Sequence, residues 1–308
     1  RASGMTVSLA LIPAAEATKT IETVAALWSA FLDAGIERGH AVVALGGGVV
    51  GDLTGFAAAT WLRGVRWIGL PTTLLAMVDS GLGGKTGADL PQGKNLIGAF
   101  HPPSLVLADT STLATLPAVE LRCGLAEVIK HAVIGDPGLL DELPRFAFCA
   151  QSADNAPCTC LAESDWLASF VARAMAVKVR IIQQDPFEKG ARAALNLGHT
   201  IGHGIEKATD FAVRHGEAVA IGTVLEARLA EALGLAQPGL AQQIAAHFTR
   251  VGLPVTMPAG IDLTAVRAAM ALDKKRADGE IRFALPAAIG DVRTGIAVDD
   301  ALLGNVLR

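Results

Sequence analysis

The chain has 308 residues, of which 51% are hydrophobic and 18% are charged, and its formal net charge is -4. This length and composition allow a large buried core and two domains. A nucleic-acid partner is disfavoured, because proteins that bind phosphate backbones usually carry a clustered basic face. The sequence shows neither a signal segment nor a run of roughly 18 apolar residues that could cross a membrane. We therefore expect a cytoplasmic globular protein with no membrane partner.

The first part of the chain has the pattern of an α/β domain. Residues 19–35 carry apolar side chains at helical spacing and end at a glycine, which predicts an amphipathic helix. The apolar run 41–45 is typical of a buried parallel strand, and it leads into the glycine-rich stretch 46–52 and a predicted helix over 57–62. A strand, a glycine turn and a helix in this order can bring backbone N–H groups up to a phosphate. The spacing is not G-x-G-x-x-G, so a tight structural turn is the alternative interpretation.

Two more strands are predicted in this part of the chain, over 66–70 and 104–109. Thr72 and Thr73 follow the first of them, at the edge where open α/β sheets bind their ligands. Residues 79–95 form a predicted loop with two lysines in glycine-rich backbone, where a phosphorylated ligand could approach closely. This loop lacks the G-x-x-x-x-G-K-[ST] spacing of a P-loop, which excludes nucleoside triphosphate hydrolysis.

The rest of the chain has mainly helical patterns. A mostly apolar helix is predicted over 121–134, and Glu127 and Lys130 share one of its faces at i, i+3 spacing. A charged pair on a buried helix needs a partner such as a metal or an anionic ligand, whereas on an exposed helix it would be a simple ion pair. Further elements are predicted as helices over 165–182 and 217–233 and a strand over 280–285.

Three histidines crowd into one short stretch of the sequence. His199 and His203 stand four residues apart, so their rings would share one face of a helix, and His215 returns after a loop. Imidazole is a common metal ligand, and a catalytic zinc site takes three protein ligands and keeps one position open. The alternative is a pair of histidines on a helix surface or in a satisfied core.

These patterns predict an α/β N-terminal domain with a parallel, Rossmann-like sheet over residues 1–117. A mainly α-helical C-terminal domain is predicted over 118–308, with the active site in the cleft between the two domains.

Separated motifs follow one another along the chain. They are the glycine turn 46–52, Pro71-Thr-Thr, Val78-Asp-Ser, Gly83-Gly-Lys-Thr, Gly93-Lys-Asn-Leu-Ile-Gly, Gly124-Leu-Ala-Glu-Val-Ile-Lys130, Glu188 with Arg192, Asn196-Leu-Gly-His-Thr-Ile-Gly-His and His215-Gly-Glu. In order and spacing they resemble the 3-dehydroquinate synthase family, from Glu16 to Pro286. So many motifs in register are far more specific than any one of them.

The resemblance implies a dehydroquinate synthase-like fold, the family's reaction and its cofactors. Members use NAD and one divalent metal, Zn²⁺ or Co²⁺, to convert 3-deoxy-D-arabino-heptulosonate 7-phosphate to 3-dehydroquinate and phosphate in the shikimate pathway of aromatic amino-acid biosynthesis. An alcohol is oxidised, phosphate is eliminated, the hydride is returned and an aldol step closes the ring. The implied substrate is a phosphorylated sugar acid, and the implied assembly is a homodimer.

The resemblance also implies a role for individual residues. The metal ligands would be Glu127, His199 and His215. The catalytic groups would be Glu188, His203 and Lys85. The substrate would be bound by Arg63, Lys85, Asn95, Lys130, Lys178, Arg192, Asn196 and one of Lys274 and Lys275. The NAD site would comprise Glu16, Lys19, Gly47, Gly48, Val49, Asp52, Thr72, Thr73, Asp79, Lys94, Thr112, Leu113 and Thr115.

The start of the sequence departs from the family pattern. The family normally begins with a further strand-helix-strand unit, and this sequence begins near the end of that unit. If the unit is missing, we expect weaker NAD binding and a strand left bare at the edge of the sheet.

Three alternatives to the dehydroquinate synthase activity remain. Related sugar-phosphate cyclases share the fold, NAD and the metal, but Lys130, Lys178, Arg192 and Asn196 fit a dehydroquinate synthase better. Enzymes similar to glycerol dehydrogenase share the two-domain plan but need fewer cations for a simple hydride transfer. A truncated, inactive homologue is the third alternative, although every proposed catalytic position holds a chemically competent residue.

Overall fold

The structure is a computed structural model that describes residues 4–13, 15–91, 93–161, 165–187, 190–274 and 281–308. It divides into two compact units, Arg1–Thr110 and Ser111–Arg308. No helix among the described residues has both the length and the apolar character needed to cross a membrane.

Within its described residues, the first unit contains two α-helices and five strands. They are α1 (Ile21–Asp33), β1 (Ala41–Gly46), α2 (Gly48–Thr60), β2 (Arg66–Pro71), β3 (Lys85–Leu90), β4 (Gly93–Phe100) and β5 (Leu105–Val106). Strands β1 and β5 pair in parallel with the two sides of β2, which gives the strand order β1-β2-β5. The parallel sheet and the helix predicted over 19–35 are thereby confirmed.

The core of this unit lies between the sheet, α1 and α2. Helix α1 begins after Thr20, whose side chain accepts a hydrogen bond from the Thr23 amide at 3.3 Å, an N-cap that satisfies one of the free amides of the first turn. Its buried face, which includes Leu27 and Phe31, packs against Leu53 of α2 and its buried neighbours. Helix α2 begins at Gly48, within the glycine turn 46–52 and much earlier than the predicted span of 57–62.

Strand β1 is covered on one face only. Ala44 is buried and Val42 packs against the core, whereas Val43 and Leu45 are 53% and 66% exposed. The prediction of a buried strand is therefore wrong for the second face. An uninterrupted apolar run does not by itself reveal whether a second layer covers the strand.

The glycine-rich segment 79–95 is not the predicted loop. Its second half forms an antiparallel hairpin of β3 and β4, in which Gly87 pairs with Gly98. A Cβ on Gly98 would lie 2.1 Å from the Thr86 carbonyl oxygen, so these glycines let two backbones meet rather than make the chain irregular. The strand predicted over 104–109 is also shorter than expected, since β5 pairs over two residues.

The second unit is mainly helical, as the sequence predicts. Its elements are α3 (Ala118–Gly135), α4 (Ala147–Ala150), α5 (Asp165–Gln184), α6 (His199–Ala208), α7 (His215–Ala232), α8 (Leu240–Arg250), α9 (Leu263–Lys274), β6 (Arg282–Ala288), β7 (Asp291–Ala297) and α10 (Asp300–Val306). Strand β6 pairs antiparallel with β7, which the sequence analysis missed. The polar sequence of β7, with Asp291, Arg293 and Thr294, carries no clear apolar alternation.

Helices α6 and α7 meet along a seam of small residues. A Cβ on Gly222 would lie 2.1 Å from the Gly198 carbonyl oxygen, and one on Gly202 would lie 3.1 Å from the Ala218 carbonyl oxygen. Real Cβ atoms do not approach a carbonyl oxygen as closely as the first distance. The two helices are therefore in backbone-to-backbone contact, and each of them begins with a histidine.

Candidate functional site

Three helices of the second unit bring a carboxylate and two imidazoles together. Glu127 lies in the middle of α3, while His199 and His215 are the first residues of α6 and α7. Nε2 of His199 lies 3.5 Å, and Nε2 of His215 3.2 Å, from Oε1 of Glu127. One donor atom from each side chain lies within 4.8 Å of the other two. One oxygen and two nitrogen donors at this spacing fit a zinc or cobalt ion that keeps open positions for substrate oxygens.

The second nitrogen of each imidazole is also fixed. Nδ1 of His199 donates to the Leu197 carbonyl oxygen at 3.0 Å, and Nδ1 of His215 lies 3.4 Å from Oε2 of Glu206. Histidines that bind metals usually donate their other N–H to a carbonyl or a carboxylate, which fixes the tautomer and the ring orientation. Both Nε2 atoms are thereby turned toward Glu127.

The two imidazoles have opposite electrostatic environments. Burial, followed by the nearby Lys130 ammonium, lowers the pKa of His199 to about 3. Burial also opposes the charge on His215, but hydrogen bonds to Glu127 and Glu206 outweigh it and raise its pKa to about 10. Without a metal, His215 is a cation held between two carboxylates. A divalent ion would take the place of that proton, since metal ligands bind in their deprotonated form.

His203 stands one turn after His199 on α6, and its side chain is exposed. The ring centroids of His203 and His199 are 5.3 Å apart, which confirms that the two histidines share a helix face. An exposed imidazole beside the three-residue cluster can exchange protons with a bound molecule. Glu188, another of the predicted catalytic groups, lies outside the described residues.

Three predicted substrate cations are nearly fully buried in the same unit. Lys130, Lys178 and Arg192 are 1%, 7% and 2% exposed. Nζ of Lys130 lies 2.5 Å from Oε2 of Glu127, and Nη1 of Arg192 donates to the Pro186 carbonyl oxygen at 2.7 Å. Burying three cations is costly unless anions compensate them. Their elements, which are α3, α5 and a 3₁₀ turn that ends at Asn196, contact one another.

In the first unit, Gly46, Gly47 and Gly48 line a small open pocket together with Ser80. A Cβ on Gly47 would lie 3.1 Å from Cγ2 of Thr73, and one on Gly48 would lie 2.9 Å from Oγ of Ser80. This Ser80 hydroxyl is buried and makes no hydrogen bond within the described part of the chain. Free amides at the start of α2 and an unsatisfied hydroxyl form a cradle that fits a phosphate or pyrophosphate.

Charged residues predicted for the cofactor are paired in this unit. Nζ of Lys19 lies 2.6 Å from Oδ2 of Asp52 and 2.5 Å from Oδ1 of Asn95. Burial would lower the pKa of Lys19, but the Asp52 carboxylate outweighs it and the pKa is raised. Lys94 pairs with Glu16 at 3.3 Å. The structure therefore places Asn95, predicted for the substrate, beside two residues predicted for NAD.

Arg63 has an unusual backbone conformation. It is exposed at the end of a 3₁₀ turn, and both it and Leu62 have positive φ angles of 66° and 50°. Such angles cost roughly 1–3 kcal/mol per residue outside glycine, and this strain is common at functional positions.

The remaining predicted residues are placed individually. Thr72 follows β2, where its amide donates to the Gly46 carbonyl oxygen at 2.9 Å. Lys85 is the exposed first residue of β3, and Lys274 is the last residue of α9. Val49 lies in the first turn of α2, Asp79 in a π-helical turn, and Thr112, Leu113 and Thr115 in a 3₁₀ turn over Thr110–Thr115. Lys275 lies outside the described residues.

Sequence reasoning missed three polar residues near these sites. Ser80 lies in one of the motifs, directly after Asp79, and Glu206 stands three residues after His203 on the same helix face. Glu226, in an otherwise apolar part of α7, is fully buried. A charge directly after the uncharged stretch 218–225 was the available signal for it.

Comparison with known proteins identifies relatives along the whole chain. Models of the 3-dehydroquinate synthase N-terminal and C-terminal regions match residues 9–123 and 124–276. The chain is 46% identical to a 3-dehydroquinate synthase of Synechococcus sp. over 307 residues, which cover 99% of this chain and 82% of the relative.

Two solved structures have the same fold with bound cofactors. The 2-epi-5-epi-valiolone synthase of Streptomyces hygroscopicus, with NAD⁺ and Zn²⁺ bound, is 33% identical, with a TM-score of 0.84 over 96% of this chain and 80% of that chain. A 2-deoxy-scyllo-inosose synthase complexed with carbaglucose-6-phosphate, NAD⁺ and Co²⁺ is 29% identical, with a TM-score of 0.83 over the same shares. The fold is thus that of the dehydroquinate synthase-like cyclases, and the chain belongs to the 3-dehydroquinate synthase family.

Proposed function

We propose that the chain is a carbon–oxygen lyase that converts 3-deoxy-D-arabino-heptulosonate 7-phosphate to 3-dehydroquinate and phosphate. The observation that carries this proposal is the cluster of Glu127, His199 and His215 beside buried cations. The cluster offers a metal site, and the cations suit a substrate with both a phosphate and a carboxylate. NAD and a zinc or cobalt ion are its cofactors, as in the related cyclases whose structures contain them.

The proposed chemistry divides between the cofactors and the chain. When bound, NAD takes up and returns a hydride, and the metal held by Glu127, His199 and His215 favours ionisation of a substrate hydroxyl. The chain's own groups bind, orient and move protons. His203 and Glu188 are the proposed proton-transfer groups, with Lys85 as a further catalytic cation.

The proposed substrate-binding residues are mostly cations, and three of them are nearly fully buried. Lys130, Lys178 and Arg192 lie in the second unit, where their burial strengthens their interaction with an anion. The full set is Arg63, Lys85, Asn95, Lys130, Lys178, Arg192, Asn196 and one of Lys274 and Lys275.

The proposed NAD site centres on the glycine turn of the first unit. The cradle formed by Gly47, Gly48 and the Ser80 hydroxyl supports it, because these groups can surround a pyrophosphate. The full set is Glu16, Lys19, Gly47, Gly48, Val49, Asp52, Thr72, Thr73, Asp79, Lys94, Thr112, Leu113 and Thr115. We assign cofactor binding to the α/β domain 1–117 and metal and substrate binding to the helical domain 118–308. The proposed assembly is a homodimer in the cytoplasm.

The test is phosphate release from 3-deoxy-D-arabino-heptulosonate 7-phosphate with NAD and zinc supplied. The unmodified chain should release phosphate, and chelation or His199→Ala should abolish release by removing the metal or one of its ligands. His40→Ala is the matched control, because His40 is an exposed histidine outside the cluster. Folded, metal-loaded protein that releases no phosphate from this substrate would contradict the proposal.

A second candidate is cyclisation of a different sugar phosphate. The similarity to the valiolone and inosose synthases favours it. Sugar phosphates without a carboxylate should be tested in parallel, and a higher kcat/KM for one of them would favour this candidate. The burial of Lys178 and Arg192 in addition to Lys130 favours the substrate that carries a carboxylate as well as a phosphate.

A further inference from the structure

Glu226 is a fully buried carboxylate for which the proposed reaction has no role. It lies in the middle of α7 between Leu225 and Ala227, which are also buried. A carboxylate at such a position is unfavourable unless hydrogen-bond donors compensate it. Its donors therefore indicate what the residue does.

Glu226 caps helix α6 from the neighbouring helix. Oε2 accepts a hydrogen bond from the Gly198 amide at 2.5 Å, and Oε1 accepts one from the Ile201 amide at 3.3 Å. Gly198 precedes the first residue of α6 and Ile201 is its third residue. These are the two amides that a capping box satisfies from within a helix. The negative charge also complements the dipole at the start of α6.

Gly198 cannot provide a cap of its own. Its φ angle is +78°, and a Cβ on it would lie 2.2 Å from Oγ1 of Thr223. The position thus requires glycine both for its left-handed backbone and for its packing. The cap has to come from another element, and α7 supplies it.

The capped amides lie on either side of His199. Gly198 precedes the histidine directly, and Leu197, whose carbonyl oxygen accepts the hydrogen bond from Nδ1 of His199, precedes Gly198. The cap therefore holds both the backbone of His199 and the segment that orients its ring. Nε2 of that ring lies 3.5 Å from Oε1 of Glu127.

We infer that Glu226 is a positioning residue for the metal centre, which it serves by fixing the start of α6 and thus the direction of Nε2 of His199. It is neither one of the proposed metal ligands nor one of the proposed catalytic residues. The inference rests on the proposed function, since it assumes a metal held by Glu127, His199 and His215.

The chain contains a matched control on the same helix. Glu231, also on α7, accepts a hydrogen bond from the Ala241 amide at 2.8 Å and so caps α8. The residue before α8 is Gly239, which is again left-handed, with φ of +99°. Helix α8 carries none of the proposed ligands. Glu226 and Glu231 thus each cap a neighbouring helix, but only the helix capped by Glu226 carries a proposed metal ligand.

The experiment compares metal binding by the unmodified chain, Glu226→Gln, Glu231→Gln and His199→Ala. Zinc affinity is measured by competition with a chelator, and the geometry of the site is measured by the visible absorption of bound Co²⁺. Glutamine keeps the size of the side chain but replaces one acceptor oxygen with a donor NH₂ group, which cannot accept from an amide. We expect Glu226→Gln to weaken zinc binding by about 10- to 100-fold and to change the Co²⁺ spectrum.

The other outcomes distinguish the positioning role of Glu226 from the proposed metal site itself. Glu231→Gln should keep the affinity and spectrum of the unmodified chain, because its cap lies elsewhere. Unchanged binding in Glu226→Gln, or an equal loss in both glutamine variants, overturns the inference. If Glu226→Gln does not fold, Glu226→Asp takes its place, and unchanged zinc affinity in that variant overturns the inference. An unmodified chain that binds no metal, or binding that survives His199→Ala, overturns the proposed metal site itself.

Discussion

Single carboxylates hold other groups of the candidate sites in place. Glu206 fixes the ring of His215, and Glu226 caps the helix that begins with His199. In the first unit, Asp52 holds the buried ammonium of Lys19. The proposed ligand-binding residues thus depend on the carboxylates that orient them. Removing one of these carboxylates should therefore weaken ligand binding as well as lower the stability of the fold.

The first prediction concerns the ion pair of Lys19 and Asp52. Lys19→Met should lower the free energy of unfolding by about 2–4 kcal/mol at pH 8, because it removes one partner of a largely buried pair. Lys94→Met should cost less than about 1 kcal/mol, because the Lys94–Glu16 pair is partly exposed to solvent. Urea unfolding of the unmodified chain and of the two variants provides the measurement.

The pH dependence of the same pair has a definite sign. The pKa of Lys19 is raised above its usual value of 10.5. The stabilisation is therefore complete below that value and is lost as the pH rises through the raised pKa. The difference between the unmodified chain and Lys19→Met should shrink above pH 10.5, and a difference that stays constant there would contradict the assignment.

Strand β1 shows how one element can have two different faces. Val42 packs against buried residues of the core, whereas the adjacent Val43 is 53% exposed on the opposite face. Val43 pairs with Ile68, which in turn pairs with Leu105, so an apolar row crosses all three strands on the more exposed face. Such a row is an exposed hydrophobic patch.

The second prediction uses these two adjacent valines as a matched pair. Val42→Thr should lower the free energy of unfolding by about 1–2 kcal/mol, because it places a hydroxyl against the core. Val43→Thr should change it by less than about 0.5 kcal/mol, since the side chain already faces solvent. Both variants keep a β-branched residue, so strand propensity is conserved. If thermal or urea unfolding shows the same loss of stability in both variants, both faces of β1 are covered.

The sequence predicts elements better than their environments. The helix α1, the strands β1 and β2 and the long helices were predictable because their apolar periods are clear. The hairpin β3–β4 was not, because Gly87 and Gly98 resemble loop residues while they serve close strand pairing. The proposed metal ligands were found through the family motifs, whereas Glu206 and Glu226 depend on contacts between helices that no local pattern contains.

At the scale of the whole molecule, the proposed metal ligands and the glycine turn belong to different compact units. The cluster of Glu127, His199 and His215 lies entirely within Ser111–Arg308, and the glycine turn lies within Arg1–Thr110. A ligand that binds only the native state stabilises it, by about 2.7 kcal/mol at one hundred times its Kd. Each cofactor should therefore protect a different set of backbone amides from hydrogen exchange.

The third prediction is that hydrogen exchange will separate the two patterns. Zinc should slow exchange in α3, α6 and α7, which it would link through their side chains, and NAD should slow exchange in the glycine turn and the first turn of α2. His199→Ala should remove the zinc effect and leave the NAD effect. Protection by zinc that is absent from all three helices would contradict the proposed ligand set.

The seam between α6 and α7 restricts how this part of the protein can vary. At Gly222 an added Cβ would lie 2.1 Å from the Gly198 carbonyl oxygen, and at Gly198 it would lie 2.8 Å from the Val219 carbonyl oxygen as well as against the Thr223 hydroxyl, so a change of side-chain rotamer alone cannot make room. Elsewhere in α7, volume-conserving swaps among the buried aliphatic residues can be absorbed by repacking. In a saturation library these two glycines should therefore tolerate no other residue, whereas the buried valine, isoleucine and leucine positions of α7 should tolerate one another's side chains. The backbone contact of the two helices then fixes the distance between their first residues, His199 and His215. Substitutions elsewhere can change the surroundings of these histidines more easily than the distance between them.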